Sequence, residues 1–380
     1  MNVSEKQLDE VFQRHLGYEP HNALRFFCPG RVNLIGEHID YNGGSVLPVA
    51  ISLGIYAIVL PRRDAKIRIH SDTYPGHLEF DSGSLHSLGR QKNWTDYVIG
   101  SLQQVFEPAD DLPGADVCFY SDLPAGAGLS SSAALEVLSG YIFLTLSDST
   151  INRTRLALNA QKAEREFIGV NCGIMDQFIV ANGEENSALL LDCSSLRHSQ
   201  IPVTLPGYSL IIVNTAKSRE LVGSEYNNRR ADCKEALAQI RHHKPVQSLC
   251  DADPSDLPLI TNLQVRKRAC HAIMEHKRVK DAVQALSDKD SRRFGKLLFE
   301  SHDSLRHDFE VSCPELDAIV EFCRNHPDCI GARMTGAGFG GCAIAFVKTD
   351  SIGKFACSLN KDLGFDLYMP TISSGVHLML

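Results

Sequence analysis

Four ionisable side chains, Arg31, Glu37, His38 and Asp40, fall within CPGRVNLIGEHIDYNGG, residues 28–44. Carboxylates accept hydrogen bonds, a guanidinium donates them, and a neutral imidazole does both. Such a set could grip a polar small molecule through several hydroxyls. It could also be a solvated loop. Val32, Leu34 and Ile35 are threaded between the polar residues, which suits a segment anchored in a core.

A second stretch, LPAGAGLSSSAALEV (123–137), runs from a strand through a glycine turn into a helix. Gly126 and Gly128 have no Cβ, so backbone N–H groups there can approach a ligand closely. Ser130, Ser131 and Ser132 stand where the helix begins. Their hydroxyls, the unpaired N–H groups of the first turn and the helix dipole would together suit an anion such as the phosphates of a nucleotide. A serine N-cap after a glycine turn is the simpler account, although three serines exceed what a cap needs. No GxxxxGK[ST] occurs, so this is not a Walker A loop. His-Arg-Asp and Asp-Phe-Gly are also missing, which excludes the protein-kinase pattern.

MTGAGFGGCAIAFV (334–347) contains a G-x-G-x-x-G through Gly336, Gly338 and Gly341. A dinucleotide fingerprint must lead from a strand into a helix. Here the β run CAIAFV follows, so the glycines join two strands. A tight hairpin and a flexible wall near the phosphates both remain open.

AEREFIGVNCGIMDQF carries Glu164 in a helix and Asp176 after a glycine turn, 176 − 164 = 12 residues later. A turn could bring both to one site. Asp176 is flanked by Ile174, Met175 and Phe178. A carboxylate in that company is either desolvated for function or satisfied by a cation.

The elements that must position these groups follow from periodicity. Residues 46–72 read as a pair of strands joined near Pro61–Lys66, and GADVCFYSDLP as a strand. SSAALEVLSGYIFLTL and RTRLALNAQKAEREFIG read as helices, the second stopped by Gly169. SALLLDC and YSLIIVNT read as strands. From about 218 to 310 the pattern is helical and charged. CPELDAIVEFCRN is a helix, IGARMT and GCAIAFV are strands, a helix follows, and LYMPTISSG is a closing strand. Strands and helices mix without strict alternation, which predicts an α+β fold. The length of 380 residues suggests two domains, 1–195 and 196–380, divided at the composition shift near 195.

The bulk numbers exclude several classes. The net charge is −8, which leaves no electrostatic footprint for nucleic acid or an anionic membrane. The polar opening MNVSEKQLDEVFQRHLG reads as an amphipathic helix and lacks a signal peptide's apolar core. No apolar run approaches a membrane span. Twelve cysteines without a secretory signal point to free thiols in a reducing cytoplasm. Cys323 and Cys329 flank His326, but no second pair lies at zinc-site spacing. Composition does not address oligomeric state; a monomer is the expectation.

Taken together, GLSSSAA and MTGAGFGG resemble the phosphate loop and the C-terminal glycine motif of the GHMP kinases. GRVNLIGEHIDYNGG resembles the galactokinase signature among them, with Ile39 where Thr is commoner. CGIMDQF and LVGSEYNNRR are also similar to galactokinase motifs. The resemblance spans nearly the whole chain and implies two α+β domains with the active site in the cleft between them. It further implies transfer of a phosphoryl group from ATP to the C1 hydroxyl of D-galactose, as part of galactose metabolism. Glu37, His38, Ile39, Asp40, Gly173, Asp176 and Tyr226 would form the sugar pocket. Gly126, Ala127, Gly128, Leu129, Ser130, Ser131 and Ser132 would hold the nucleotide, with Ser71 and Trp94 as further nucleotide contacts. Ser132 and Glu164 would ligate Mg²⁺. Asp176 would accept the sugar proton, with Arg31 holding that carboxylate ionised. An Arg beside an Asp makes it a weak base, so Asp176 would mainly orient the hydroxyl and take its proton late. A related sugar kinase, for N-acetylgalactosamine for instance, and a non-catalytic galactose and ATP sensor are the other readings. Such sensors lose residues just after the serine run, where this chain keeps Ala133 and Ala134.

Overall fold

The structure, a computed structural model, describes residues 3–217 and 222–379. The polar opening folds as α1 (Glu5–Leu16), capped by the Ser4 hydroxyl and ended by Gly17 in the left-handed region. Leu8, Val11 and Phe12 form its apolar stripe, which packs with Phe27, Tyr56, Ile58 and Cys118 on the outer face of a sheet.

The strands that follow are β1 (Leu24–Asn33), β2 (Ser45–Val46), β3 (Pro48–Pro61), β4 (Lys66–Ser71), β5 (His77–Asp81) and β6 (Ala115–Ser121), with α2 (Thr95–Val105) before β6. The pair of strands expected over 46–72 does not form a hairpin. β6 lies between β3 and β4, antiparallel to β3 and parallel to β4. The first five residues of β6 are all buried, whereas β4 alternates, so β6 takes the place covered on both faces. The helices α3 (Ser131–Leu146), α4 (Arg153–Lys162) and α5 (Met175–Asn182) lie against β1 and β3 or one another on the inner face. α3 is buried along most of its length, as a central helix with little polar surface must be. α4 runs on as a π-helical turn, Ala163–Ile168, which ends at Gly169 as the sequence suggests.

β7 (Ser187–Asp192) and β8 (His198–Pro202) pair with each other and with β2. The boundary expected at 195 falls in the turn of this hairpin; a division after Pro202 keeps it whole.

The second half contains β9 (Tyr208–Asn214), α6 (Val222–Arg241), α7 (Leu263–Ser287), α8 (Ser291–Ser304), α9 (Pro314–Asn325), β10 (Cys329–Thr335), β11 (Cys342–Lys348), α10 (Ile352–Leu363), β12 (Leu367–Tyr368) and β13 (His377–Leu378). The helical onset expected near 218 lies outside the described residues. A four-stranded sheet runs β10-β11-β9-β12, with α8 and α9 packed on β10. The closing strand expected over 367–375 is broken. Only Leu367 and Tyr368 pair with β9, and Ile372 bridges to Ile51 on β3. Pro370 lacks an N–H and cannot continue a ladder. β13 then pairs with β1, completing the six-stranded order β13-β1-β3-β6-β4-β5. The result is the two-domain α+β architecture that the patterning implies.

Candidate active site

Among the described residues, Gly126, Gly128 and Ser130 have φ of 67°, 70° and 65°, while Ala127 and Leu129 between them are not in the left-handed region. This alternation turns successive N–H groups toward one side, making an anion-binding nest at the start of the sixteen-residue helix α3. Ser130 occupies the N-cap position, yet its hydroxyl makes no capping bond. It donates instead to Asp176 Oδ2 at 2.5 Å. The capping account of the serines therefore fails at the residue it needs.

Asp176 lies in the first turn of α5. Arg31, on β1, donates through Nε to its Oδ1 at 2.9 Å and through Nη2 to its Oδ2 at 2.8 Å. Arg31 Nη1 donates to the Gly128 carbonyl at 2.8 Å, which ties the pair to the nest. The close approach depends on Gly30. A Cβ there would come within 2.6 Å of Leu123 Cδ2 and 2.8 Å of the Leu129 carbonyl oxygen. That same carbonyl accepts the Arg31 N–H at 3.1 Å.

The loop after β1 is fixed from behind by α7 and the β10–β11 turn. Gly36 N–H donates to Glu275 Oε1 at 3.0 Å, and the Glu37 carbonyl lies 3.0 Å from His271 Nε2. Glu37 Oε1 accepts from the Gly336 N–H at 2.7 Å and the Thr335 hydroxyl at 3.2 Å. Burial pushes its carboxyl up, against the pull of Arg333. His38 has φ 62°; its Nδ1 is 2.8 Å from the Tyr41 hydroxyl and its Nε2 is 3.2 Å from the Ala337 carbonyl. A carbonyl can only accept, so Nε2 carries the proton and Nδ1 accepts from Tyr41. Burial holds the ring neutral, lowering its pKa to about 3. Asp40 lies against Gly173, where any Cβ would collide with its carboxylate. Burial and the nearby Asp176 raise the Asp40 pKa to about 6.

Glu164 sits in the π-helical turn, its Oε1 3.4 Å from the Ser132 hydroxyl. Burial, with Asp176 nearby, raises its pKa. Among the described residues no group of three or more His, Cys, Asp or Glu side chains could hold a metal alone. A hard cation such as Mg²⁺ takes one or two protein oxygens and completes its shell with phosphate and water. Ser132 and Glu164, beside the nest at 126–130, fit that chemistry.

These groups line one cavity of about 350 Å³, with Arg31, Asp40, Ser132, Glu164, Asp176 and Tyr226 on its walls. The galactokinase galactose-binding signature matches residues 10–61, the GHMP kinases N terminal domain 96–184, and the GHMP kinases C terminal domain 282–363. The galactokinase of Clostridium beijerinckii is 42% identical over 365 residues, spanning 92% of this chain and 93% of that protein. The chain belongs to the galactokinase family. The galactokinase of Exiguobacterium sibiricum is 39% identical over 384 residues, 98% of each chain. The structure of Lactococcus lactis galactokinase complexed with galactose superposes with a TM-score of 0.92 at 37% identity, covering 98% of this chain and 99% of that one. A mevalonate kinase from Methanococcus jannaschii shares the fold, with a TM-score of 0.71 at 19% identity, covering 93% of this chain and 99% of that one.

Within this galactokinase framework, not every residue expected at the site lies in it. Ile39 is fully buried and does not line the cavity. Its side chain fills the space beside Gly44 and its carbonyl accepts from the N–H groups of Asn42 and Gly44, so it supports the turn while Glu37, His38, Asp40 and Tyr41 line the cavity. A second cavity of about 310 Å³ opens on the other side of the glycine–serine loop, between residues 123–129 and Thr73–Tyr74, and shares Gly128 and Ser131 with the first. Ser71 and Trp94 do not line it. The Ser71 hydroxyl accepts from the Thr73 and Tyr74 N–H groups, each at 3.2 Å, and the Trp94 indole donates to the Pro75 carbonyl at 3.0 Å. Both brace the loop from behind. Ala127 and Leu129 line this second cavity but are almost wholly buried. Sequence reasoning missed Tyr41, which lines the cavity, and Arg230, which stacks on it from outside the lining. The Arg230 guanidinium lies 4.8 Å over the Tyr41 ring, and Tyr226 is 5.5 Å from that ring. Spacing carried a signal here, since Tyr226 and Arg230 are four apart on one helical face.

Proposed function

We propose that this chain transfers the terminal phosphoryl group of ATP to the C1 hydroxyl of D-galactose. The observation that carries this is the Arg31–Asp176 pair. It stands between the phosphate nest, bonded to it through Gly128, and the loop bearing Glu37 and Asp40. The sugar would lie against Asp40, Gly173 and Tyr226. The nucleotide would lie across the loop at Gly126–Ser132, its base in the cavity beside Tyr74.

Phosphoryl transfer has little covalent chemistry for a protein to perform, so positioning and charge stabilisation dominate. Among the described residues, Asp176 Oδ2 already accepts from Ser130 and Arg31, while Oδ1 accepts only from Arg31 Nε. Oδ1 therefore has capacity for the sugar hydroxyl, which it would orient and from which it would take the proton late. Arg31 locks the carboxylate plane and places positive charge beside the transferred group. A magnesium ion held by Ser132 and Glu164 would neutralise phosphate charge.

ADP release measured over a sugar panel, with wild type and Asp176→Ala side by side and the product's phosphate position read by NMR, tests this reading. The expected result is fastest turnover on galactose, phosphate at C1, and loss in the variant. Preference for N-acetylgalactosamine would replace it with the related kinase. No turnover on any sugar with ATP and Mg²⁺ would replace it with the sensor.

A further inference from the structure

Gln177 takes no part in the site as described, yet its amide is bonded to it. It follows Asp176 on α5 and is fully buried beside Phe178, Ile179 and Val180. Its Nε2 donates to Glu164 Oε2 at 2.5 Å and to Glu136 Oε2 at 3.3 Å. An amide nitrogen has two protons, so one group can serve both carboxylates. Glu136 lies on α3 and is fully buried. Among the described residues, Gln177 Oε1 and Glu136 Oε1 are buried with no hydrogen-bond partner.

Unpartnered buried polar atoms are costly, and an apolar residue of similar volume would avoid the cost in this apolar row. The polar choice has one visible consequence. It fixes Glu164 Oε2 and leaves Oε1 turned to the Ser132 hydroxyl at 3.4 Å. The Cys172 thiol is a further hydrogen-bonding neighbour of Glu164.

We propose that Gln177, itself held by Glu136, is the positioning residue that aims the Glu164 carboxylate at the cation beside the nucleotide. Gln177 therefore sets how tightly the site holds a divalent metal. This rests on the reading of Ser132 and Glu164 as the metal-holding pair. Outer groups that orient a ligating carboxylate change metal affinity by about 10–100-fold.

The test is Mn²⁺ binding, followed by electron paramagnetic resonance in the presence of a non-hydrolysable ATP analogue, together with calorimetric galactose binding without metal. Gln177→Met is expected to weaken Mn²⁺ about 10–100-fold and to leave galactose affinity within about threefold. Glu136→Leu should do the same, and Glu136→Gln should stay near wild type because an amide can still accept from Gln177. These second-position variants keep the test open if Gln177→Met folds poorly. Wild-type Mn²⁺ affinity in Gln177→Met and Glu136→Leu, with affinity lost in Glu164→Ala, would overturn the positioning role alone. Unchanged affinity in Glu164→Ala would overturn the metal assignment and the positioning role with it.

Discussion

Arg31 and Asp176, 145 residues apart in the chain, meet through two parallel hydrogen bonds of 2.9 and 2.8 Å. The fork fixes the carboxylate in both position and plane, which a point charge on a flexible stem does not. Arg31→Lys should therefore lower kcat about 10–100-fold, within the range for lost alignment, and change galactose affinity little. Asp176→Ala should lower kcat about 10²–10⁴-fold. Steady-state kinetics with calorimetric galactose titration separate the two quantities. A Lys variant with wild-type kcat would mean that charge alone suffices.

Ser130 holds a left-handed backbone, φ 65°, and donates to Asp176. That conformation costs a residue with a Cβ about 1–2 kcal/mol relative to glycine, and such strain persists where function requires it. Ser130→Ala keeps the strain and loses the hydroxyl. Ser130→Gly loses both. Turnover should fall about tenfold in each, as one hydrogen bond to a charged group is removed. The glycine variant should be more stable than the alanine variant by about 1 kcal/mol. Urea unfolding and kcat of the pair check this. Equal stability would show that the helix start relaxes without the hydroxyl.

The site's residues were legible in the sequence to the extent that their roles are local. Gly126, Gly128 and the serines could be read because a nest and a helix start are built within one stretch. Arg31 and Asp176 are suspect singly in their own stretches and are paired only through the family resemblance, because the pairing is a tertiary fact of β1 crossing the start of α5. The same limit explains the misses. Ile39 sits among polar residues in the chain, and only the packing against Gly44 reveals that it points inward. Ser71 and Trp94 are near the second cavity because they shape a loop, and nothing in their own neighbours distinguishes bracing a wall from being one. Glu136 and Gln177 fell within apolar helical patterns, where a polar residue reads as noise until its partners are seen.

Gly173 carries a strict steric demand. Any Cβ there would run into the Asp40 carboxylate. Gly173→Ala should displace the Asp40 carboxylate from its place on the cavity wall beside Asp176 and Tyr226. Galactose affinity should fall about 10²-fold, the scale of losing two to three kcal/mol of hydrogen bonding to a charged group. ATP-analogue affinity should hold. Unaltered galactose binding in this variant would place the sugar elsewhere in the cavity.

Asp40 gives the site a pH signature. Burial and the charge on Asp176 raise its pKa from 3.8 to about 6, so the empty fold disfavours the ionised form. For a group shifted in this direction, the stability it contributes is present below about pH 4 and is lost as pH rises toward 6. Asp40→Asn removes the buried charge, so the sugar-free variant should be more stable than wild type at pH 7 by about 1–3 kcal/mol. That difference should vanish near pH 4. Function runs the other way. In the proposed function the ionised carboxylate would accept from sugar hydroxyls, so wild-type galactose affinity should weaken as pH falls through 6, and the variant should bind weakly throughout. Urea unfolding of both proteins at pH 4 and 7 measures the first effect, and galactose titrations from pH 5 to 8 measure the second. An affinity that stays flat across that range would remove Asp40 from sugar recognition, and a variant no more stable at pH 7 would show that its charge is well solvated in the empty site.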